Sequence, residues 1–391
     1  MKALSMNDVD LKNKHVVIRC DLNVPLKNGV IKGDKRIRAV LPTIRKALDN
    51  NCAVIVLSHL GRPTEGTFEE EFSLAPVAKR LGELLGKEVR FHAYDPELKV
   101  EAKNGEVVLL ENVRFLVGEK KNNAELGAKF ASLGDVYIMD AFGAAHRAHS
   151  STESAIRQAK VAVAGPLMLA EMQAANKILQ EPKRPLYAIV GGSKVSTKVT
   201  VLENLLGFVD GLIVAGGIAN TFLLAEGYNV GKSLVEEDFI DQAKALIKLA
   251  KSKNVDLPLA TDVVVAKDMA SGEGLRTCAI NDIKADEAIF DMGEETCKNF
   301  AKILEKANTV VWNGPLGVFE QTPFDKGTRF IGNALANSKA YTLVCGGDSV
   351  TAVEQFGIQE KMGYLCTGGG AFLEVLEGKT LPSVAALADR A

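Results

Sequence analysis

The stretch VGGSKVSTK, residues 190–198, sets two lysines four apart, just after an apolar run and a pair of glycines. A glycine at the end of a strand lets backbone approach a ligand, and a helix N-terminus beyond it offers unpaired N–H groups and partial positive charge. That combination suits phosphate oxygens. With Ser193 as a helix N-cap, Lys194 falls in the first turn and Lys198 one turn further on the same face. Positive charge there adds to the positive end of the helix dipole and is unfavourable until an anion arrives. The pair reads either as two solvated lysines or as a grip on a polyphosphate. Three further turns, Gly216-Gly217, Gly346-Gly347 and Gly368 to Gly370, end comparable runs. One such turn is commonly a matter of packing; four together favour a ligand. Asp348 heads the segment SVTAVEQFG and reads either as a helix N-cap or as a carboxylate for phosphate-bound Mg2+.

The first half carries different chemistry. Arg62 in SHLGRP, Arg114 in ENVRF and Arg147 in AHRAH stand at or just past apolar runs, and Arg36 and Arg38 follow another in GDKRIRA. Guanidinium groups bind carboxylate and phosphate in bidentate fashion, and five converging would be costly without an anion. His59 stands beside Arg62 in the same motif. His146 and His149 are too few to hold a metal, and no cysteine or carboxylate cluster accompanies them. GYNVGKS, 227–233, looks like a phosphate-binding P-loop but has three residues between its glycines instead of four, and the segment before it reads as a helix. Lys232 is therefore expected to be an ordinary loop lysine. A small anion on one lobe and a polyanion on the other make the arrangement phosphoryl transfer requires. Its catalysis is mostly positioning and charge neutralisation, with closure of the lobes to exclude water.

These residues must be carried by strand ends. The apolar runs at 15–25, 53–63, 107–115 and 136–147 lead into the arginines, and those at 186–192, 211–217, 309–317, 341–348 and 363–370 lead into glycines. Alternation of such runs with helical segments predicts α/β architecture: two lobes, each a mostly parallel, doubly wound sheet flanked by helices. The 391 residues are long for one core. The reading divides them into an N-terminal lobe, 1–166, a helix joining the lobes, 167–182, and a C-terminal lobe, 183–376. Pro166 can open that helix, and Pro182 and Pro185 stop it. A net charge of −2 argues against coating nucleic acid or an acidic membrane surface. No run reaches the roughly 20 apolar residues of a membrane span, and the N-terminus lacks the apolar core of a signal peptide. A cytoplasmic location is expected, with all six cysteines as buried free thiols.

RCDLNVP, GDKRIRA, SHLGRP, LLENVRF, DAFGAAHRAHSST, GGSKVSTK, GGIANTF, WNGPLGVFE, CGGDSVTAV and CTGGGAFLE closely resemble, in order, the motifs of the phosphoglycerate kinase family. The resemblance implies reversible phosphoryl transfer between 1,3-bisphosphoglycerate and ADP, giving 3-phosphoglycerate and ATP. It also implies Mg2+, a place in glycolysis, and a monomer. By resemblance Asp21 and Asn23 meet the glycerate, and Arg36, His59, Arg62, Arg114 and Arg147 hold the triose, with Arg36 at the transferring group. Lys194 meets the transferred phosphoryl. Lys198 and Asn313 lie by the nucleotide phosphates, Glu320 meets the ribose, and Asp348 is tied to the metal. Gly369 and Gly370 stabilise developing charge. Gly192, Gly216, Gly217, Gly346, Gly347 and Ser349 complete the nucleotide site. The tail 377–391 is expected to return to the first lobe. Tyr364, Cys366, Phe372 and the pair Ala144-Ala145 depart from the family pattern as it is expected here. In the ATP-consuming direction the acceptor is a carboxylate already ionised near neutral pH, so no general base is needed. Two other readings differ in what they require. A kinase with a hydroxyl acceptor needs a base that no residue here supplies. A non-catalytic anion binder needs the arginines but neither Lys194 nor Asp348.

Overall fold

The computed structural model describes residues 3–391, which divide into two compact units, 3–173 with 380–391 and 174–379. The division falls inside the helix Pro166–Leu179.

In the first unit six strands form one parallel sheet, in the order Val89–His92, Val107–Leu110, Ala53–Leu57, His15–Cys20, Val136–Asp140, Val161–Ala164. The central strands are buried on both faces, which is why their sequences are continuous apolar runs instead of alternating ones. On one face Val16, Ile18, Val54, Val56, Val107, Leu109 and Ile138 form the core. The helix Lys35–Asp49 covers them with Ile37, Val40, Leu41, Ile44 and Ala47, the three- and four-residue spacing of a single helical stripe. Parallel strands put all their carboxyl ends at one edge, so Cys20, Leu57, Leu110 and Asp140 end together and the loops beyond them are neighbours.

The second unit contains a five-stranded parallel sheet, in the order Gly211–Val214, Leu186–Val190, Thr309–Asn313, Tyr341–Cys345, Tyr364–Leu365. Its glycine turns thus share one edge. A separate antiparallel sheet, Arg276–Ala279, Asp262–Ala266, Ala288–Met292, was not foreseen from the apolar runs. The last segment of the chain packs in the first unit through the helix Pro382–Ala388, whose Ser383 Oγ donates to Thr152 O at 2.6 Å. Among the described residues all six cysteines are free and buried, and no helix is long and apolar enough to cross a membrane.

Candidate active site

The strand His15–Cys20 carries an arginine in its interior. Arg19 is 1% exposed, and its Nε donates to Ser151 Oγ at 2.9 Å and one Nη to Cys20 O. Its other Nη lies 3.1 Å from His59 Nδ1. A guanidinium has only donors, so Nδ1 must accept and His59 carries its proton on Nε2. Burial is the main reason that His59 is held well below the ordinary histidine range, with the charges of Arg19, Arg114, Arg36 and Arg147 adding to it. His149 is pushed down to about 4 for the same reason first, then by Arg114, Arg19 and Arg147. Arg114 itself drops to about 10 through burial and the neighbouring Arg147 and Arg19. Four arginines therefore do converge, but they are not the set expected. Arg19 joins Arg36, Arg114 and Arg147, while Arg38 turns away to Asp34 at 2.9 Å, a carboxylate it shares with Arg80. Arg62 is exposed one residue beyond the turn at Gly61. A buried carboxylate answers part of the charge: Glu119 accepts from Ser151 N at 3.0 Å and from its hydroxyl.

Asp21 and Asn23 leave the same strand end. Asp21 accepts from Arg36 at 2.7 Å, and Asn23 Oδ1 accepts from Gly61 N at 2.9 Å. Arg114 donates to Gly61 O at 2.5 Å, so Asn23 and Arg114 hold both backbone groups of one residue, Gly61, in the SHLGRP turn. This ties together loops from three neighbouring strands.

In the second unit a cleft of about 770 Å3 opens at the strand ends. Gly192, Gly216, Gly217, Glu320 and Asp348 line it, as do Leu234, Met269, Phe290 and Leu316, which carry no polar signature in the sequence. Lys232 lines it as well, so the loop lysine is not remote from the chemistry. The glycines differ in what surrounds them. A Cβ on Gly191 would lie 2.0 Å from Pro315 O, and one on Gly217 2.4 Å from Ser193 O, so backbone crosses backbone at both. At Gly347 nothing lies within 4 Å, and the surface is open.

Several expectations need correcting. Ser193 caps no helix: the helix runs Val199–Leu205 and Lys198 is its N-cap residue. Val195 is fully buried, and Glu236 accepts from Ser196 N at 2.8 Å and from Ser196 Oγ at 2.6 Å. These contacts fold residues 193–198 into a turn before the helix starts, so Lys194 and Lys198 do not share a helical face. Lys194 is exposed in that turn. Lys198 is half-buried, donates to Asn313 Oδ1, and has its ammonium pKa lowered chiefly by burial. Asn313 is buried and also donates to Cys345 O at 3.0 Å. Asp348 is not an N-cap; that position belongs to Gly346, and Asp348 is exposed in the first turn of the helix Gly347–Gln355. Ser349 turns inward, fully buried, and its Oγ accepts from Gly314 N at 2.6 Å. Gly369 and Gly370 open the helix Gly369–Leu376. A Cβ on Gly369 would come 3.2 Å from Gly346 Cα, which places two glycine turns against each other.

Paired α/β units, one gathering cations at its strand ends and the other opening a glycine-walled cleft, define a phosphotransferase of two lobes. Residues 6–379 match the family model of phosphoglycerate kinase. A phosphoglycerate kinase of Desulfovibrio desulfuricans is 59% identical over 391 residues, covering 100% of both chains. The structure of phosphoglycerate kinase from Coxiella burnetii superposes with a TM-score of 0.95 at 49% identity, covering 100% of both chains. That from Pyrococcus horikoshii gives 0.81 at 30% identity, covering 99% of this chain and 100% of the other. The chain belongs to the phosphoglycerate kinase family. Its reaction is the reversible, Mg2+-dependent transfer of a phosphoryl group between 1,3-bisphosphoglycerate and ADP, giving 3-phosphoglycerate and ATP, in glycolysis.

Proposed function

We propose a division of labour in which the arginine cluster of the first unit holds the phosphoglycerate and the cleft of the second holds the nucleotide. The observation that carries this reading is the accumulation of Arg19, Arg36, Arg114 and Arg147 around a histidine kept neutral. Positive charge that Asp21 and Glu119 answer only in part favours a multiply charged anion. Asp21 and Asn23 orient the glycerate end beside Arg36, and Arg62 closes over it from the exposed turn. His59, neutral and protonated on Nε2, donates instead of repelling.

In the cleft, Gly192, Gly216 and Gly217 let the nucleotide lie against backbone, with Leu234, Met269 and Leu316 as an apolar wall for the base and Glu320 for the ribose hydroxyls. Lys198, anchored by Asn313, faces the phosphates. Gly346 and Gly347 leave room for them, and Ser349 supports Gly314 from below. Lys194, exposed in the turn before the helix, is assigned to the transferred phosphoryl, and the helix start at Gly369 and Gly370 to the charge that develops on it.

Asp348 suits Mg2+. It is one exposed carboxylate beside the cleft, and among the described residues no cluster of three acidic, histidine or cysteine ligands exists. A cation that keeps most of its shell as water and phosphate oxygen needs no more. When bound, Mg2+ neutralises phosphate charge as the phosphoryl group moves. Donor and acceptor oxygens must meet in line, so ligand-driven closure of the two units belongs to the proposal. The enzyme is placed in the cytoplasm as a monomer.

The test is Lys194→Ala, with ADP formation from Mg-ATP and 3-phosphoglycerate followed through a coupled dehydrogenase. Turnover should fall far more than 3-phosphoglycerate affinity. Equal losses in both would remove Lys194 from the transferring group.

A further inference from the structure

The mechanism above leaves one buried acid in the wall of the nucleotide cleft without a task. Asp291 is the penultimate residue of the antiparallel strand Ala288–Met292, is 1% exposed, and lines the cleft with Phe290 and Met292. Among the described residues no salt bridge reaches it. Its Oδ2 accepts from Gly327 N at 2.7 Å, in the first turn of the helix Lys326–Ala336, and its Oδ1 accepts from Met292 N at 2.9 Å. Two glycines lie directly on the carboxylate. A Cβ at Gly317 would stand 2.3 Å from Asp291 Oδ1, and one at Gly327 would stand 2.4 Å from the same atom. Beside it, Val318 N donates to Phe290 O at 2.9 Å. The segment Pro315–Glu320 is therefore seated on this strand end, and it carries Leu316 and Glu320 into the cleft.

A carboxylate buried without a counter-ion is expensive, but its two oxygens accept from two N–H groups at once, which an amide with one acceptor oxygen does not. We propose that Asp291 is a positioning residue for the nucleotide: its carboxylate fixes the backbone at Gly317 and Gly327, and so sets the height at which Leu316 and Glu320 meet base and ribose. The inference rests on the assignment of Glu320 to the nucleotide.

Burial also gives it a pH signature. Asp291 is raised to about 7, chiefly by desolvation and further by Asp325, against the lowering effect of its two backbone N–H donors and of Lys326. Cys297, on the helix Glu294–Leu304, also feels its charge. Ionised, the carboxylate accepts both N–H groups strongly; protonated, it grips them less well. Nucleotide affinity should fall as the pH drops through about 7.

The experiment compares Asp291→Asn, Glu320→Ala and the double variant in steady-state kinetics with Mg-ATP and 3-phosphoglycerate, from pH 6 to 8.5. Asp291→Asn is expected to raise KM for Mg-ATP about tenfold, with kcat and KM for 3-phosphoglycerate within about twofold. Its nucleotide KM should lack the inflection that the parent protein shows. In the Glu320→Ala background the same change should add under twofold, because Asp291 acts through that segment. Gly317→Ala, which leaves Asp291 in place and displaces the loop, should reproduce the nucleotide-specific loss if Asp291→Asn does not fold. Equal losses for both substrates, full additivity, or an unchanged pH profile would overturn the proposal. An unaltered nucleotide KM in Glu320→Ala alone would instead overturn the Glu320 assignment beneath it.

Discussion

His149→Gln tests the charge cluster through its effect on acid stability. His149 lies in the arginine cluster with its side chain 13% exposed, and its Nδ1 is 4.0 Å from Glu119. Its pKa is lowered from 6.5 to about 4, burial being the largest cause and Arg114 the next. The folded value is the depressed one, so between these two pH values the unfolded chain binds the proton and the folded chain does not. Stability from this group is therefore intact above about pH 6.5 and is lost progressively as the pH falls towards 4. At about 1.4 kcal/mol for each pH unit, the full difference is about 3 kcal/mol. Screening by the water that reaches the ring brings this to about 2 kcal/mol. Glutamine keeps a neutral, hydrogen-bonding side chain and cannot take up the proton. In urea unfolding followed by circular dichroism, parent and variant should differ little in acid sensitivity between pH 8 and 7. Between pH 7 and 4.5 the parent should lose about 2 kcal/mol more, a relative midpoint shift of about 1 M urea at a slope of about 2 kcal/mol per molar. Parallel pH dependences in the two proteins would refute the account, because His149 would then not be held neutral by its surroundings.

Gly217→Ala should raise KM for Mg-ATP by an order of magnitude or more, because its methyl group meets Ser193 O at 2.4 Å and must push the Lys194 turn aside; unchanged nucleotide kinetics would count against that crossing. Ser383→Ala removes a fully buried hydroxyl from Thr152 O and should lower stability by about 1–3 kcal/mol in thermal unfolding, with Mg-ATP affinity unchanged. All six cysteines are buried, so a soluble aromatic disulfide reagent should titrate them rapidly only after denaturation; a fast phase in the native protein would expose an error in their placement. Small-angle scattering with both substrates bound should give a smaller radius of gyration than with neither, and no change would remove closure from the mechanism.

The strand-end clustering was readable because the arginines and glycines sit in short motifs at the ends of continuous apolar runs, and parallel pairing brings those ends to one edge. What escaped the sequence reading did so for physical reasons. Arg19 stands inside HVVIRC and was passed over as part of an apolar run. Yet a guanidinium in a buried strand must have partners, and that alone marked it as part of a polar network. Leu234, Met269 and Phe290 face the cleft with the same residue types that fill a core, so no pattern separates the two roles. The start of the helix after Lys198 depended on Val195 sinking into the core and on Ser196 finding Glu236, forty residues away in sequence. Spacing alone favoured a helix from Ser193; a tertiary contact overrode it. The glycine turns were read as ligand-facing, yet Gly191 and Gly217 are small because backbone crosses backbone there, which spacing in the sequence does not reveal.

The first unit is closed by the last residues of the chain, and this bears on how the protein is made. Leu381, Ser383, Val384, Ala386 and Leu387 are buried against a body whose other residues all precede position 174. During synthesis that body emerges first but lacks its final helix until residues 380–391 have been made. The second unit, continuous from 174 to 379, has its whole sequence earlier than its neighbour does. The usual N-terminal-first order of vectorial folding is therefore reversed at completion. The Arg147 and His149 loop, held by Ser383 at Ala145 O and Thr152 O, thus gains its last support only after the whole of the second unit has been made.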